Sequence, residues 1–244
     1  MHRFYAPDAD FKKQFLMISD QQEIHHLLDV LRLKEEDLIC IFNGRGQEAA
    51  CRITKLSRKI VETKMISLKK NKPKKKASII LACAIPKKAK FELVIEKCTE
   101  LGVDEIIPLK TKRTEVHLNK EKAQKKSLRY QTVAINAVKQ SKRVTVPRIH
   151  PVTKFEDLIN SFGQEDIVFL PCLTGKRIPL HKAFPSLIAD KKRIIFLIGP
   201  EGDFTPQEID LAVQSRCIPV SLGNTVLKVD TAAISVVAMA NLLT

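Results

Sequence analysis

Residues 193–204 read Arg-Ile-Ile-Phe-Leu-Ile-Gly-Pro-Glu-Gly-Asp-Phe. The first half is an apolar run of the kind that forms a strand buried on both faces, and it stops at two glycines and a proline. Because glycine has no side chain, the backbone of this loop can approach a ligand closely, and Glu201 lies at its centre. Such a strand and loop are typical of a parallel α/β sheet, where ligands bind beyond the carboxyl ends of the strands.

The alternation of strands and helices extends through residues 73–244. Directly after the loop, Thr205-Pro206-Gln207-Glu208 predicts a helix start, since it combines an N-cap, a proline at the first helical position and a reciprocal glutamate. We predict the other strands at 78–85, 104–109, 166–170 and 218–221, and the other helices at 91–101, 120–140, 155–162, 181–188 and 231–243. This pattern predicts an α/β fold, a parallel sheet with helices on both faces.

Residues 1–72 have a different pattern, in which short strands dominate. Asn43-Gly44-Arg45-Gly46 reads as a hairpin turn between strands at 38–43 and 47–56, and a third strand is predicted at 60–67. One short helix is predicted from the N-cap Asp20 to Arg32. We therefore predict a small β-barrel domain over residues 1–72. The lysine-rich stretch 69–76 reads as an exposed linker to a second domain over residues 73–244.

The charge of the chain is large and uneven. Lys and Arg number 42 against 27 Asp and Glu, so the formal net charge is +15, which suits a polyanionic partner such as nucleic acid. Residues 110–143 hold eleven basic and two acidic residues, which is more than half of the excess. This segment is either a solvated helix face or a phosphate-binding surface, and the sequence leaves both interpretations open.

Several classes of protein fit the sequence poorly. No apolar run approaches the roughly 18 residues of a membrane helix, and the N-terminus carries charges where a signal peptide has its apolar core. The six cysteines are scattered without a C-x-x-C pair, which predicts reduced, buried thiols in a cytoplasmic protein and no metal site. The G-x-G-x-x-G and G-x-x-x-x-G-K-[ST] motifs are absent, which weighs against a dinucleotide-binding oxidoreductase and a P-loop ATPase.

Three strand ends carry loops that could bind a cofactor. Besides the loop at 199–204, they are Leu170-Pro171-Cys172-Leu173-Thr174-Gly175 and the stretch from Ser221 to Thr231, which contains Lys228 and Asp230 before a helix. Each loop alone is more often an ordinary turn between a strand and a helix. Three such loops in one sheet predict a cofactor pocket.

Two of these loops resemble those of a known family. Leu197-Ile198-Gly199-Pro200-Glu201-Gly202, followed by Leu222-Gly223, Val226-Leu227-Lys228 and Thr231-Ala232, resembles the signature loops of SPOUT-class RNA methyltransferases. More specifically, the chain resembles the RsmE family, which methylates N3 of a uridine (uridine 1498) in 16S ribosomal RNA. The resemblance implies an N-terminal PUA-like barrel, a C-terminal α/β domain with a trefoil knot, S-adenosylmethionine as cofactor, and a homodimer.

The resemblance also implies roles for individual residues. The cofactor would be held by Leu173, Thr174, Ile198, Gly199, Pro200, Glu201, Gly202, Ser221, Leu222, Gly223, Val226 and Leu227. We predict that Arg113 and Lys228 stabilise negative charge on the base or hold phosphate, and that Glu201 orients groups, relays a proton or only stabilises its loop. The RNA partner, 16S ribosomal RNA or the small subunit, would be contacted by Arg3, Arg32, Lys125, Lys126, Arg129 and Arg143.

The chain departs from the family pattern at several positions. Asp203 replaces the second glycine of the family's GPEGG motif, and Thr225, Lys228 and Asp230 stand where many members have Arg, Arg and Glu. Asp203 supports an alternative, a non-catalytic ribosomal RNA-binding protein whose cofactor pocket is vestigial. The C-terminal segment 231–243 carries no charge, so we expect it to be covered nearly all round and to contribute to the homodimer interface.

Overall fold

A computed structural model describes residues 1–70, 77–86, 90–114, 120–188 and 192–244. The chain divides into two compact units. The first comprises the described residues of Met1–Lys74 together with Val138–Val146, and the second those of Lys75–Ala137 and Pro147–Thr244. Residues 138–146, which the sequence places in the second domain, thus group with the first. Most of the predicted linker, residues 71–76, lies outside the described residues, and the domain division at residue 72 stays a prediction.

The first unit is built on a five-stranded sheet with the strand order β1-β3-β4-β5-β2. The strands are β1 His2–Tyr5, β2 Phe15–Ile18, β3 Leu38–Phe42, β4 Gln47–Leu56 and β5 Val61–Lys70. β1 pairs with β3 in parallel, and the other pairs are antiparallel. The predicted strands β3, β4 and β5 are confirmed. Sequence analysis missed β1 and β2, which have only four residues each.

The helix of the first unit begins where the sequence predicts it. Asp20 accepts hydrogen bonds from the backbone N–H groups of Gln22 and Glu23, which makes it the N-cap of α1, Gln21–His25. The chain then continues as a π-helical turn over His26–Val30. The predicted helix is therefore one turn of α-helix followed by a wider turn, and not a regular helix to Arg32.

The hairpin turn after β3 explains why residues 138–146 belong to the first unit. Gly44 and Gly46 have φ angles of +72° and +97°, a conformation that side chains disfavour. A Cβ atom on Gly44 would lie 2.8 Å from the Val146 side chain. Gly46 N–H donates to Val144 O at 3.0 Å, and Val146 N–H donates to Gly44 O at 2.9 Å. The glycines therefore let a distant segment of the chain pack against the turn.

The second unit contains a sheet in which every described strand pair is parallel, as predicted. The strand order is β11-β13-β10-β12-β6-β7-β8, and β9 pairs with β7. The strands are β6 Ser78–Ala84, β7 Glu105–Lys110, β8 Arg148–Ile149, β9 Thr153–Lys154, β10 Asp166–Pro171, β11 Ile178–Pro179, β12 Arg193–Ile198 and β13 Ile218–Ser221. The helices are α2 Lys90–Glu100, α3 Lys120–Ser141, α4 Phe155–Ile159, α5 Leu180–Leu187, α6 Pro206–Gln214 and α7 Val229–Leu243.

The sheet of the second unit is covered on both faces, which confirms the α/β prediction. Ile79 and Leu81 of β6 belong to an apolar cluster with side chains of α2, α3, α5 and α7. Ile80 and Ala82, which point the other way, belong to a second cluster with side chains of α4 and α6. This alternation along one strand is what burial on both faces requires.

Helix ends in the second unit follow the predicted signals. Thr205 and Glu208 form a complete capping box at the start of α6. Gly102, with a φ angle of +97°, ends α2, and Val103 N–H donates to Cys98 O at 3.0 Å, as in a Schellman motif. α4 is shorter than the predicted 155–162, because its helical hydrogen bonding ends at Ile159.

All six cysteines are free and buried, as predicted. In the part of the chain that the structure describes, no helix is long and apolar enough to cross a membrane.

Candidate functional site

The strand order of the second unit brings the carboxyl ends of β13, β10 and β12 side by side. The loops after these strands enclose a cavity of about 380 Å³, within the range of small-molecule sites. Its lining residues are Pro171, Cys172, Leu173, Arg177, Ile198, Gly199, Pro200, Glu201, Asp203, Ser221, Leu222, Gly223, Asn224, Thr225, Val226, Leu227, Lys228, Val229 and Ala232. The cavity lies where the topology of a parallel sheet places ligands.

Most of the predicted cofactor-binding residues line this cavity. They are Leu173, Ile198, Gly199, Pro200, Glu201, Ser221, Leu222, Gly223, Val226 and Leu227, and the predicted catalytic residue Lys228 joins them. Thr174 and Gly202 belong to the same loops but are not among the lining residues, and neither is Arg113. The binding and catalytic roles of all these residues stay predictions.

Sequence reasoning missed several lining residues. Asn224 and Thr225 lie inside the predicted loop after β13, so the loop itself was the signal for them. Val229 and Ala232 lie in the first turns of α7. Arg177 belongs to no motif, and nothing in the local sequence distinguishes it from other surface arginines. Its guanidinium donates to the carbonyl oxygen of Cys172 at 2.8 Å, which holds it beside the loop after β10.

Gly199 is needed for the packing of its own loop. A Cβ atom at this position would lie 3.1 Å from two ring carbons of Phe204 and 3.3 Å from its backbone nitrogen. Phe204 is buried and packs against Phe155, with the ring centroids 5.2 Å apart. The loop after β12 therefore folds back tightly on Phe204. At Gly202, in contrast, an added Cβ atom would make only an ordinary contact, 3.5 Å from Arg113 Cδ.

Asp203 connects two of the three loops. Its Oδ2 accepts a hydrogen bond from the backbone N–H of Leu173 at 2.7 Å, and its Oδ1 accepts one from Phe204 N–H at 2.8 Å. Its own φ angle is +60°, which aspartate tolerates better than most residues. The carboxylate that replaces the family's glycine is thus bound by two backbone donors. It braces the loop after β12 against the loop after β10.

Arg113 also shapes the loop after β12. Its guanidinium donates to the carbonyl oxygens of Gly202 and Phe204. The turn that carries it is fixed by Glu208, a buried residue whose Oε1 accepts a hydrogen bond from Lys112 N–H at 2.8 Å. The other oxygen of Glu208 accepts from Thr205 N–H in the capping box. The structure therefore gives Arg113 a positioning role, and its predicted contact with RNA or base stays a prediction.

The cavity lining contains two cationic side chains, Arg177 and Lys228, and two anionic ones, Glu201 and Asp203. Charges of both signs suit a zwitterionic ligand better than a simple anion. Burial, together with the charge of Asp203, raises the pKa of Cys172 to about 11. Because its thiol is protonated at neutral pH, Cys172 is not an activated nucleophile. Among the described residues, no cluster of His, Cys, Asp and Glu side chains is arranged to hold a metal ion.

The predicted RNA-binding residues of the first unit differ in accessibility. Arg3 is 11% exposed, forms an ion pair with Glu48 at 2.8 Å and donates to Arg143 O at 2.6 Å. Its guanidinium also lies 4.9 Å from the centroid of the Phe42 ring, so Arg3 holds this unit together. Arg32 is exposed, and Arg143 donates to Thr145 Oγ1 at 3.3 Å.

The predicted RNA-binding residues of α3 are partly engaged in ion pairs. Lys125 pairs with Glu121 at 2.7 Å, and Arg129 pairs with Glu92 at 2.9 Å, whereas Lys126 is half-buried. Lys125 and Arg129 are well exposed, and such surface ion pairs contribute little to stability. A phosphate could therefore replace the carboxylates of Glu121 and Glu92. RNA contact by these residues stays a prediction.

The chain is similar to two known protein families and to several named proteins. The family described as RNA methyltransferase domain matches residues 73–241, and the family described as RNA methyltransferase PUA domain matches residues 18–66. A Bacillus subtilis (strain 168) protein named Ribosomal RNA small subunit methyltransferase E is 29% identical over 214 residues, which cover 86% of this chain and 84% of that protein. The Synechocystis sp. protein of the same name is 30% identical over 224 residues, 91% of this chain and 71% of that protein.

A solved structure extends the similarity to the fold. The Ribosomal RNA small subunit methyltransferase E of Neisseria gonorrhoeae, crystallised with bound S-adenosyl methionine, matches with a TM-score of 0.88 and 28% identity. The match covers 100% of this chain and 98% of that chain. The predicted PUA-like domain and the α/β domain with a parallel sheet are confirmed by these matches. The trefoil knot stays a prediction.

Proposed function

We propose that this chain methylates N3 of a uridine in 16S ribosomal RNA. The chain belongs to the RNA methyltransferase family that includes the Ribosomal RNA small subunit methyltransferase E proteins. The target would be uridine 1498 and the methyl donor S-adenosylmethionine. The observation that carries the proposal is the cavity at the ends of β10, β12 and β13, which is lined by the two signature loops. Because the proposed substrate is ribosomal RNA, a cytoplasmic location is part of the proposal.

The residues of the cavity fit S-adenosylmethionine. Ile198, Leu222 and Leu227 offer apolar contacts for the adenine, and the loop backbone offers hydrogen-bonding groups. Arg177 or Lys228 can pair with the carboxylate of the methionine moiety, and Glu201 or Asp203 can pair with its ammonium group. When bound, S-adenosylmethionine supplies a methyl group activated by its sulfonium charge.

The side chains would contribute positioning and electrostatics. N3 of uracil must lose its proton, and the negative charge then spreads onto the flanking carbonyl oxygens. Lys228, at the N-terminus of α7, can stabilise that charge, and Glu201 can accept the proton or orient the base. Asp203 and Arg113 act indirectly, because their hydrogen bonds hold the loops that must align the methyl group with N3.

The first test of this function is binding of S-adenosylmethionine, measured by calorimetry, followed by methyl transfer to 16S ribosomal RNA. Lys228→Ala should lower kcat while cofactor binding remains measurable, and Lys228→Arg should restore part of kcat because it keeps the charge. Lys182→Ala, on the exposed side of α5, is the matched control and should behave as the wild type.

The non-catalytic alternative makes a different prediction for the same experiments. A vestigial cavity would leave the chain able to bind ribosomal RNA but unable to bind S-adenosylmethionine. The arrangement of Asp203 supports the enzyme, because its carboxylate is bound by two backbone N–H groups and braces the cavity loops. Absence of cofactor binding at millimolar concentration would favour the RNA-binding alternative.

The homodimer is part of the same proposal. α7 buries Val236 and Val237 in its own unit, whereas Ala238 and Met239 are half-buried and Leu242 is 83% exposed. The exposed apolar end of α7, which carries no charge after Asp230, supports a contact with a second copy of the chain. Leu242→Glu should give monomers near 27.6 kDa by light scattering, against twice that mass for the wild type. Leu128→Glu, at an exposed leucine of α3, is the control that should remain dimeric.

A further inference from the structure

The outward face of the first unit's sheet carries a continuous row of side chains. Phe15 of β2 is paired with Lys64 of β5, Lys64 with Arg52 of β4, and Arg52 with Leu38 of β3. Cross-strand partners in a sheet point to the same face, about 5 Å apart. The row therefore crosses four neighbouring strands, with an aromatic side chain at one end, two cations in the middle and a leucine at the other end.

The burial pattern shows that this row faces solvent. Leu16 and Ile18, which alternate with Phe15 along β2, are buried in the core of the unit, whereas Phe15 is 51% exposed. Met17 is 54% exposed, Leu38 51% and Ile66 55%. Four large apolar side chains exposed on one face of a small sheet are more than scattered surface residues, and such patches mark interaction sites.

Cations outnumber carboxylates on this face. Glu62, the cross-strand partner of Met17, lies 3.9 Å from Lys55, and the other cations are only partly neutralised. In the part of the chain that the structure describes, Lys64 is exposed and forms no ion pair. The same holds for Lys12 and Lys13, which precede β2 in sequence. Arg52 pairs with Glu36 at 2.9 Å, but both side chains are about half or more exposed, so the pair contributes little and can be exchanged.

From this row we infer that the face formed by Phe15, Lys64, Arg52 and Leu38 binds single-stranded RNA, with Phe15 as the stacking platform for a base. Proteins that bind single-stranded nucleic acid combine an exposed aromatic ring with flanking cations, because every base has a face to stack and every nucleotide a phosphate. Lys64 and Arg52 contact the phosphates next to the stacked base. The inference rests on the proposed function, which requires an RNA substrate, and it identifies a surface that contacts it.

A second copy of the chain fits this face less well than RNA does. In a symmetric dimer the same patch would meet itself, so Lys64 and its lysine neighbours would approach the identical residues of the partner. That arrangement places the unpaired lysines together, because the carboxylates of this face, Glu36 and Glu62, already pair with Arg52 and Lys55, whereas RNA supplies further negative charge.

The test is fluorescence anisotropy with a labelled single-stranded RNA of about 12 nucleotides and with a duplex of the same sequence. Phe15→Ala should weaken binding of the single strand about ten-fold and leave the duplex unaffected, whereas Phe15→Trp should retain the wild-type affinity because it keeps an aromatic face. Lys64→Glu should weaken binding and lower its salt dependence. Val30→Ala, at another exposed apolar residue of the unit, and Lys59→Glu, in the turn before β5, are the controls.

Two outcomes would overturn the inference. The first is an unchanged affinity of Phe15→Ala for the single-stranded RNA. The second is a change of Phe15→Ala from dimer to monomer in light scattering, which would make the face a contact between copies. Calorimetry with S-adenosylmethionine and the methyl-transfer assay separate this result from the proposed function. If the wild type methylates RNA and the Phe15→Ala variant binds RNA with equal affinity, only this inference is contradicted. If Phe15→Ala weakens binding of the single strand but the wild type transfers no methyl group, only the proposed function is contradicted.

Discussion

Replacement of Asp203 by alanine should weaken S-adenosylmethionine binding without unfolding the protein. The substitution removes the two acceptors that bind Leu173 N–H at 2.7 Å and Phe204 N–H at 2.8 Å. Hydrogen bonds to a charged group contribute about 1.5–3 kcal/mol each, but Leu173 is 45% exposed, so water replaces part of what is lost. We therefore expect that ordering the two loops for binding costs about 1–2 kcal/mol more in the variant. This cost corresponds to a 5- to 30-fold loss of affinity for S-adenosylmethionine.

Three variants at this position separate two effects on cofactor affinity: the hydrogen bonds of the Asp203 carboxylate and the backbone conformation of residue 203. Asp203→Asn keeps one carbonyl acceptor and tolerates the φ angle of +60°, so its affinity should lie between those of the wild type and Asp203→Ala. Asp203→Gly, the residue that the family has here, relieves the backbone but supplies no acceptor, and its affinity should stay low. Affinity is measured by calorimetry, with thermal unfolding as the check on folding.

The order of the S-adenosylmethionine affinities shows whether the Asp203 carboxylate acts as a brace. If Asp203→Ala binds S-adenosylmethionine within two-fold of the wild type, the two loops are held in place by other contacts. If Asp203→Gly recovers full affinity while Asp203→Ala does not, backbone strain and not the brace determines binding.

The remaining predictions concern the supports of the same cavity. Gly199→Ala should lower Tm by several degrees because its Cβ would lie 3.1 Å from Phe204, whereas Gly202→Ala should be neutral or slightly stabilising; equal Tm values would contradict this packing argument. Glu208→Ala should lower the free energy of unfolding by about 2 kcal/mol in urea titrations, since it removes the buried carboxylate that accepts from the N–H groups of Lys112 and Thr205, and Glu208→Gln should cost less. Because the pKa of Cys172 is raised to about 11, its alkylation rate, followed by mass spectrometry, should rise about ten-fold per pH unit from pH 7 to 10 and fall when S-adenosylmethionine is added; a rate that levels off between about pH 9 and 10 would show a thiol of ordinary pKa.

Local patterns in the sequence predicted the elements that depend on local interactions. Asp20 and Thr205 are caps because their side chains bind N–H groups two or three residues away, and such spacings are visible in sequence. The strand β12 is a continuous apolar run because it is buried on both faces. The position of the cavity followed from the loops after three strands, together with the rule that ligands bind at the carboxyl ends of a parallel sheet.

Contacts between distant residues left no comparable pattern. The turn at Gly44 looks like an ordinary hairpin, yet its glycines also accommodate Val146, about a hundred residues later. Arg113 was predicted to stabilise negative charge on the base or hold phosphate, and nothing in the local sequence indicated that its guanidinium donates to the carbonyl oxygens of Gly202 and Phe204. Asp203 was noted only as a departure from glycine, and its role as a brace depends on Leu173 in another loop.

The uncharged C-terminal segment shows what composition alone leaves open about burial. The absence of charge in residues 231–243 predicted that the segment is covered nearly all round and contributes to the homodimer interface, without indicating which side chains do so. In the structure Val237 is completely buried in its own unit, whereas Leu242 is exposed. Which face of an apolar helix is left for a partner depends on how its own sheet and neighbouring helices cover it, and an even apolar pattern does not specify that.

Methyl transfer with a defined product decides whether this chain is the uridine methyltransferase that we propose. Purified protein is incubated with 16S ribosomal RNA or small subunits from a strain without a family member, using S-adenosylmethionine that carries an isotope-labelled methyl group. The RNA is then digested to nucleosides and analysed by mass spectrometry. We expect the label in 3-methyluridine. Label in another nucleoside would contradict the proposed target, and no transferred label on either substrate would contradict the proposed enzyme.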